Sequence, residues 1–173
     1  MGSNTSRQDD TRAVLDAVRQ IVHALRESSR WAEQHVGVSG AQLFLLQRLA
    51  EAPAISVNGL AALTHTHQSS VSAVVTRLVE RGLVRRSRSG ADARRVQLSL
   101  APAGERLVAQ APDVAQDRLI RGVERIAPAR RRALATTLAE LAQAVAVADR
   151  APGMFFEDHA RQRNRKEKGT RNA

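Results

Sequence analysis

Apolar positions recur along the chain with a helical period over most of its length. Between Asp9 and His35, Val14, Val18, Ile21, Val22 and Leu25 fall on one helical face. At roughly 1.5 Å per residue this helix would be about 40 Å long. Gly37 and Gly40 break it, and Ser39 is placed to N-cap a second helix, "AQLFLLQRLAEAP", which must stop before Pro53. Leu43, Phe44, Leu46, Leu49 and Ala50 form the core side of that helix. Ile55 suits a short strand, and Ser56 can cap a short helix over "NGLAAL", which the polar run Thr64 to Thr66 ends. A further helix from about His67 to Arg81 puts Val71, Val74, Val75 and Leu78 on one stripe. Gly82 then stands where a left-handed glycine commonly closes a helix.

The period next changes to two. Val96, Leu98 and Leu100 alternate with Arg95, Gln97 and Ser99, the mark of a half-buried strand. With "LVRRSRSG" before it, this strand predicts a β-hairpin turning at Ser89-Gly90-Ala91-Asp92. Pro102 can open another helix, Gly104 is tolerable within it, and Pro112 forces a kink or a restart at Asp113. Pro128 begins a last helix, with Leu134, Leu138, Leu141, Val145 and Ala148 along one seam, and Pro152-Gly153 stops it. There is no internal repeat.

Short helix, turn, helix and basic hairpin in this order describe a winged helix-turn-helix. The fold class expected is mainly α with a small β-hairpin wing. Residues 37–104 would form the DNA-binding lobe, and 9–36 with 105–150 a helical dimerisation domain. Residues 1–8 would be a disordered N-terminus, and 151–173, which include "RQRNRKEKGTRNA", a basic flexible tail. The seams on the first and last helices need a partner, either a second copy or another part of the same chain.

Composition narrows the function. Aromatics are 2% of the chain, so Ala, Leu and Val must build the core. The absence of cysteine excludes disulfides, zinc–thiolate sites and thiol redox sensing within the chain. No apolar run approaches the roughly 20 residues of a membrane span, and no signal-peptide core is visible, which points to a cytoplasmic protein that does not enter a membrane. "MGSNTS" fits a myristoylation pattern and Asn4-Thr5-Ser6 a glycosylation sequon, but both patterns are short and frequent by chance. The net charge of +10 is uneven, with eight arginines against three acids between Gly37 and Gly104. Such a local excess is the electrostatic footprint of a polyanion binder. Two lysines against twenty-five arginines indicate a GC-rich genome, so the arginine count alone carries little weight.

"LAALTHTHQSSVSAVVTRLVERGLVRR" resembles the paired helices of the MarR family of bacterial transcription regulators, with the Gly82-Leu83-Val84 exit. The resemblance runs over roughly Asp9 to Arg150. It includes Asp92-x-Arg94 in the wing, the alternating Val96, Leu98 and Leu100, and Gly104; "PGMFFED" is similar to a tail in some members. Two positions depart from the family pattern. His65 stands where the helix-turn usually carries Gly, and Ala101 where Thr commonly follows the last wing strand. The resemblance implies a homodimer on double-stranded DNA, with terminal helices in the dimerisation domain.

On a wheel of 100° per residue, Ser69, Ala73, Thr76 and Glu80 lie opposite Val71, with Ser70, Ser72 and Arg77 on the flanks. Ser and Thr can hydrogen-bond a base or a phosphate, and Ala73 can touch a thymine methyl. Gln68 could reach adenine, although its angle lies nearer the core side, and Thr66 or His67 would cap the helix. The alternative for Ser69 and Ser70 is that they only satisfy the helix's free N–H groups. In the wing, Arg86, Arg88, Arg94 and Arg95 could approach a minor groove, with Asp92 orienting Arg94, a pairing that the family motif also implies. His65-x-His67 lacks the further ligands a metal site needs, so no metal or other cofactor is expected.

In the MarR family, small aromatic or phenolic ligands, or cysteine oxidation, often release DNA, and here only the first is open. Trp31, His35, Phe44 and Arg48 are candidate lining residues of a pocket between the dimer helices and the lobe, or else ordinary core. A ligand-released repressor on a pseudo-palindromic operator is the leading expectation. A constitutive or DNA-organising binder without an effector is the alternative. No nucleophile–base pair, phosphate loop or metal-ligand spacing supports an enzyme.

Overall fold

In the computed structural model, residues 2–88 and 96–145 are described. Within them, seven helices and one hairpin follow in the order α1 (Gly2–His35), α2 (Gly40–Glu51), α3 (Val57–Leu63), α4 (Gln68–Glu80), β1 (Val84–Arg88), β2 (Val96–Leu100), α5 (Pro102–Gln110), α6 (Ala115–Glu124) and α7 (Pro128–Val145). The class is the one expected, mainly α with a β-hairpin wing.

Helix starts and stops are chemically specified. Ser39 and Gln42 form a reciprocal capping box at α2: Ser39 Oγ accepts from the Gln42 amide at 3.3 Å, and Gln42 Oε1 accepts from the Ser39 amide at 3.0 Å. Ser56 Oγ accepts from the Gly59 amide at 3.0 Å and caps α3. At the end of α4, Gly82 takes φ +67°, so its amide reaches Val79 O and the Leu83 amide reaches Leu78 O, both at 2.9 Å. This paired closure turns the chain directly into β1.

The core sits between α2, α4 and the hairpin. Phe44, Leu43, Leu45, Leu46 and Leu49 from α2 are enclosed with Val71, Val74, Val75 and Leu78 from α4 and Leu98 from β2. The antiparallel register pairs Val84 with Leu100, Arg86 with Leu98 and Arg88 with Val96. Ile55 adds a bridge to Leu98 along the hairpin edge, its carbonyl accepting the Leu98 amide at 2.8 Å. A Cβ on Gly104 would collide with the Leu83 carbonyl oxygen, so α5 can approach the hairpin base only through a glycine.

Three local expectations need correction here. The first helix begins at Gly2, so residues 2–8 are helical rather than disordered; no proline or internal glycine interrupts them, and extending a formed helix costs little. Val96 is 44% exposed, because the inward alternation of β2 takes hold only once the strand reaches the core at Leu98. After Pro112 the helix resumes at Ala115 rather than at Asp113. Side chains of the neighbouring helices take up the intervening backbone: Gln47 Nε2 donates to Pro112 O, Gln47 Oε1 accepts from the Val114 amide, and Ser28 Oγ accepts from the Ala115 amide.

α1 changes role along its length. Leu25, Ser29 and Ala32 are buried against the core, whereas Val14, Leu15, Val18 and Ile21 are exposed. Leu134, Leu138, Leu141 and Val145 of α7 are exposed as well. Ala148 lies outside the described residues. Among the described residues no helix is long and apolar enough to cross a membrane.

Candidate nucleic-acid interface

α4 is amphipathic in the sense that the interface requires. Its inner stripe, Val71, Val74, Val75 and Leu78, is buried in the lobe. Gln68, Ser69, Thr76 and Glu80 are exposed, and Ser70, Ser72, Ala73 and Arg77 are half-buried at the margins. Gln68 is therefore on the accessible side, because it precedes the point where α4 meets the core. The His67 backbone occupies the cap position without a side-chain cap bond, and Thr66 Oγ1 donates to Thr64 O at 3.0 Å. Neither side chain caps α4, contrary to expectation. The first amides of α4 thus lack a side-chain cap, as an anion site would need.

The turn before α4 explains the departure at His65. This residue has φ +50°, the left-handed conformation that a glycine would adopt most easily. The geometry of the turn is kept, and the backbone strain of a non-glycine residue is accepted. Thr64, buried beside it, donates its hydroxyl to Leu60 O at 2.8 Å and closes α3. His65 Nε2 lies 3.5 Å from Glu124 Oε1 at the end of α6.

The wing is joined to α4 through its first strand. Arg85, Arg86 and Arg88 are exposed on β1. Arg86 Nη2 donates to Thr76 Oγ1 at 3.1 Å, and Thr76 Oγ1 donates to Ser72 O at 3.0 Å. Asp92, Arg94 and Arg95, together with the hairpin turn, lie outside the described residues.

The four proposed pocket residues do not converge. Phe44 is fully enclosed in the core because it is on the inner face of α2. Arg48 lies over the Phe44 ring, 5.5 Å from its centroid, and forms an ion pair with Asp117 and another, at 2.8 Å, with Glu51. Asp117 is buried and also pairs with Arg121. That network spends Arg48 on joining α2 to α6. Its acidic member was not anticipated, although an Asp one helical turn before an Arg was visible at Asp117 and Arg121.

Trp31 stacks on His35, with ring centroids 4.7 Å apart and planes within 9°, yet the two open on different cavities. Trp31 lines a cavity of about 330 Å³ with Leu43, Pro112, Val114, Glu27 and Arg118. His35 lines a second, also about 330 Å³, beside α5. Among the described residues no group of three or more His, Asp or Glu side chains could hold a metal ion.

Comparison with known proteins gives a consistent picture. Residues 36–95, from the end of α1 through the wing, match the family model described as MarR family. A Thauera aromatica protein, named as a transcriptional regulatory protein for the hcr operon, is 33% identical over 89 residues. That match covers 51% of this chain and 54% of the relative, so the chain spans about half the length of the curated relative it matches. The crystal structure of the transcriptional regulator BldR from Sulfolobus solfataricus is similar, with a TM-score of 0.50 and 21% identity over 84% of this chain and all of the other. BpsR from Bordetella bronchiseptica has a TM-score of 0.51 and 24% identity over 80% of this chain and 94% of its own. The likeness to the MarR family thus rests on the lobe built on α2, α3, α4 and the hairpin, and the solved structures share its fold.

Proposed function

We propose that this protein is a homodimeric transcriptional repressor that binds a pseudo-palindromic DNA operator and is released by a small aromatic or phenolic ligand. The observation that carries the reading is the outer face of α4. Hydroxyl-bearing side chains stand exposed there beside a basic strand that is hydrogen-bonded to the same helix. A helix of this kind fits the major groove, with base edges read from its N-terminal half. In this assignment Gln68, Ser69, Ser70, Ser72 and Ala73 face the bases, and Thr66, His67 and Arg77 face the adjoining backbone. Arg86 and Arg88 lead into the wing, where Asp92, Arg94 and Arg95 would meet the minor groove.

Dimerisation is supported by the uncovered apolar seams of α1 and α7, on which Val14, Val18, Ile21, Leu134, Leu138 and Leu141 are exposed. Residues 9–36 and 105–150 are assigned to that role, and 37–104 to DNA. A two-fold dimer would set its recognition helices about 34 Å apart, one DNA turn. The cavity at Trp31 supports ligand control, since it lies between α1, α2 and the α5–α6 connection and offers apolar walls with Glu27 and Arg118 at its edge. The BpsR structure concerns regulation of that protein's DNA binding by 6-hydroxynicotinic acid. A ligand here would act by favouring a dimer with the wrong helix spacing.

Selection of bound duplexes from a random library, followed by titration across salt, tests the reading. An enriched pseudo-palindrome with half-sites about one turn apart, no longer bound once a phenolic acid is added, supports it. A steep salt slope without enrichment would replace it with charge-driven DNA coating.

A further inference from the structure

Positive charge is concentrated at a place that recognition by α4 and the wing does not use. Between Arg118 and Arg132, across the end of α6 and the start of α7, stand Arg118, Arg121, Arg125, Arg130, Arg131 and Arg132, with Glu124 as the single acid. Arg118 and Arg121 on α6 and Arg125 at its C-cap recur at steps of three and four and form one stripe. The inner face of α6 is a different one, where Asp117 meets Arg48 and Glu124 meets His65. The arginine stripe lies roughly a quarter turn around the helix from those contacts.

Two anchors place this corner next to the DNA-reading element. The His65–Glu124 contact at 3.5 Å holds the end of α6 beside the turn, three residues ahead of the first residue of α4. Arg131 Nη1 donates to Glu124 O at 3.1 Å and fixes the start of α7 on the end of α6. Arg118 and Arg121 are partly engaged by Asp113, through its carbonyl and carboxylate oxygens respectively, each at 2.8 Å. Arg125, Arg130 and Arg132 are exposed and make no side-chain hydrogen bond or ion pair among the described residues. Three guanidinium groups thus remain available at the corner whose α6 end meets His65, in the turn that leads into α4.

We propose that the α6–α7 corner is a second DNA-backbone surface, on which Arg125, Arg130 and Arg132 contact phosphates beside the half-site read by α4. The inference rests on the DNA-binding reading above. Contacts of this kind add affinity and salt dependence without sequence information. They would also couple DNA to the helices that carry the dimer seam.

The test uses the full chain and its selected duplex, with affinity followed by fluorescence anisotropy across salt. A triple variant, Arg125→Ser, Arg130→Ser and Arg132→Ser, should lower the slope of log K against log salt by about 0.9 for each phosphate that is no longer neutralised. Affinity at low salt should fall at least about tenfold, with the selected sequence unchanged. Lysine at the same three positions should restore most of the slope. A control triple of equal charge, Arg7→Ser, Arg12→Ser and Arg26→Ser on exposed parts of α1, should keep the wild-type slope. Equal reductions in both triples, or none in the corner triple, would overturn the inference while leaving selective binding by the wild type intact. A wild type that binds no duplex would overturn this inference and the proposed function together.

Discussion

Arg86 Nη2 donates to Thr76 Oγ1 at 3.1 Å, joining the first wing strand to the exposed face of α4. The same hydroxyl spends its proton on Ser72 O at 3.0 Å. Thr76 therefore has its proton engaged within α4 and its oxygen engaged by the wing strand, which ties β1 to α4. Ser69, at the free end of that face, makes no side-chain hydrogen bond within the described residues. Thr76→Val should weaken DNA binding several-fold, on the order of 1 kcal/mol, and leave the selected sequence unchanged. Ser69→Ala should change that sequence. Parallel selections with the two variants decide the matter, and identical libraries from Ser69→Ala would move Ser69 to the phosphate contacts.

His65 and Ala54 both have positive φ, +50° and +63°, without being glycine. Each conformation costs roughly 1–2 kcal/mol for an L-residue relative to its right-handed counterpart. His65→Gly and Ala54→Gly should raise the melting temperature, since the relief exceeds the extra unfolded-state freedom of glycine. His65→Val should lower it. Thermal melts of the three variants check this, and a lower melting temperature for both glycine variants would contradict the strain assignment.

Asp117 is buried between Arg48 and Arg121 and ties α6 to α2. Asp117→Ala removes the acid and leaves the largely enclosed Arg48 with only the exposed Glu51. The expected loss is about 3 kcal/mol, at the low end for a broken buried pair. Replacing both partners, Arg48→Met with Asp117→Leu, should recover most of that loss, because no buried charge then remains. Denaturant titration of Arg48→Met, Asp117→Leu and the double variant measures the coupling. Simple additivity would place the strength of the joint elsewhere.

Leu138 is 47% exposed on α7 and Val18 is 37% exposed on α1, both on the uncovered seams. A carboxylate at either position would have to be desolvated in a dimer and costs nothing in a monomer. Leu138→Glu and Val18→Asp should therefore shift the protein to monomer in sedimentation equilibrium without lowering its helix content. Persistence of a dimer in both variants would remove the seams as its interface.

Gly104 illustrates how far a single residue type can be read. Its φ is ordinary, but a Cβ would meet the Leu83 carbonyl oxygen. Gly104→Ala should destabilise the lobe by about 1–3 kcal/mol in a denaturant melt. Nothing in the spacing of the chain pointed to Leu83 as its neighbour.

Local rules account for what the sequence determined by itself. The helical stripe of Val71, Val74, Val75 and Leu78, the capping box of Ser39 and Gln42, the closure at Gly82 and the alternation of Leu98 and Leu100 each depend on residues within a turn or a strand of one another. Backbone geometry fixes those distances, so residue type and spacing suffice. The order of these elements, with the basic charge around the hairpin, made the winged lobe legible. Tertiary structure decided every pairing between distant residues: Arg86 with Thr76, Arg48 with Asp117, His65 with Glu124, and Gln47 with the segment after Pro112. It also decided that Phe44 is core and that Trp31 and His35 face separate cavities. A polar side chain can satisfy itself with any of several partners, and only the packing of the apolar faces brings one of them within bonding distance.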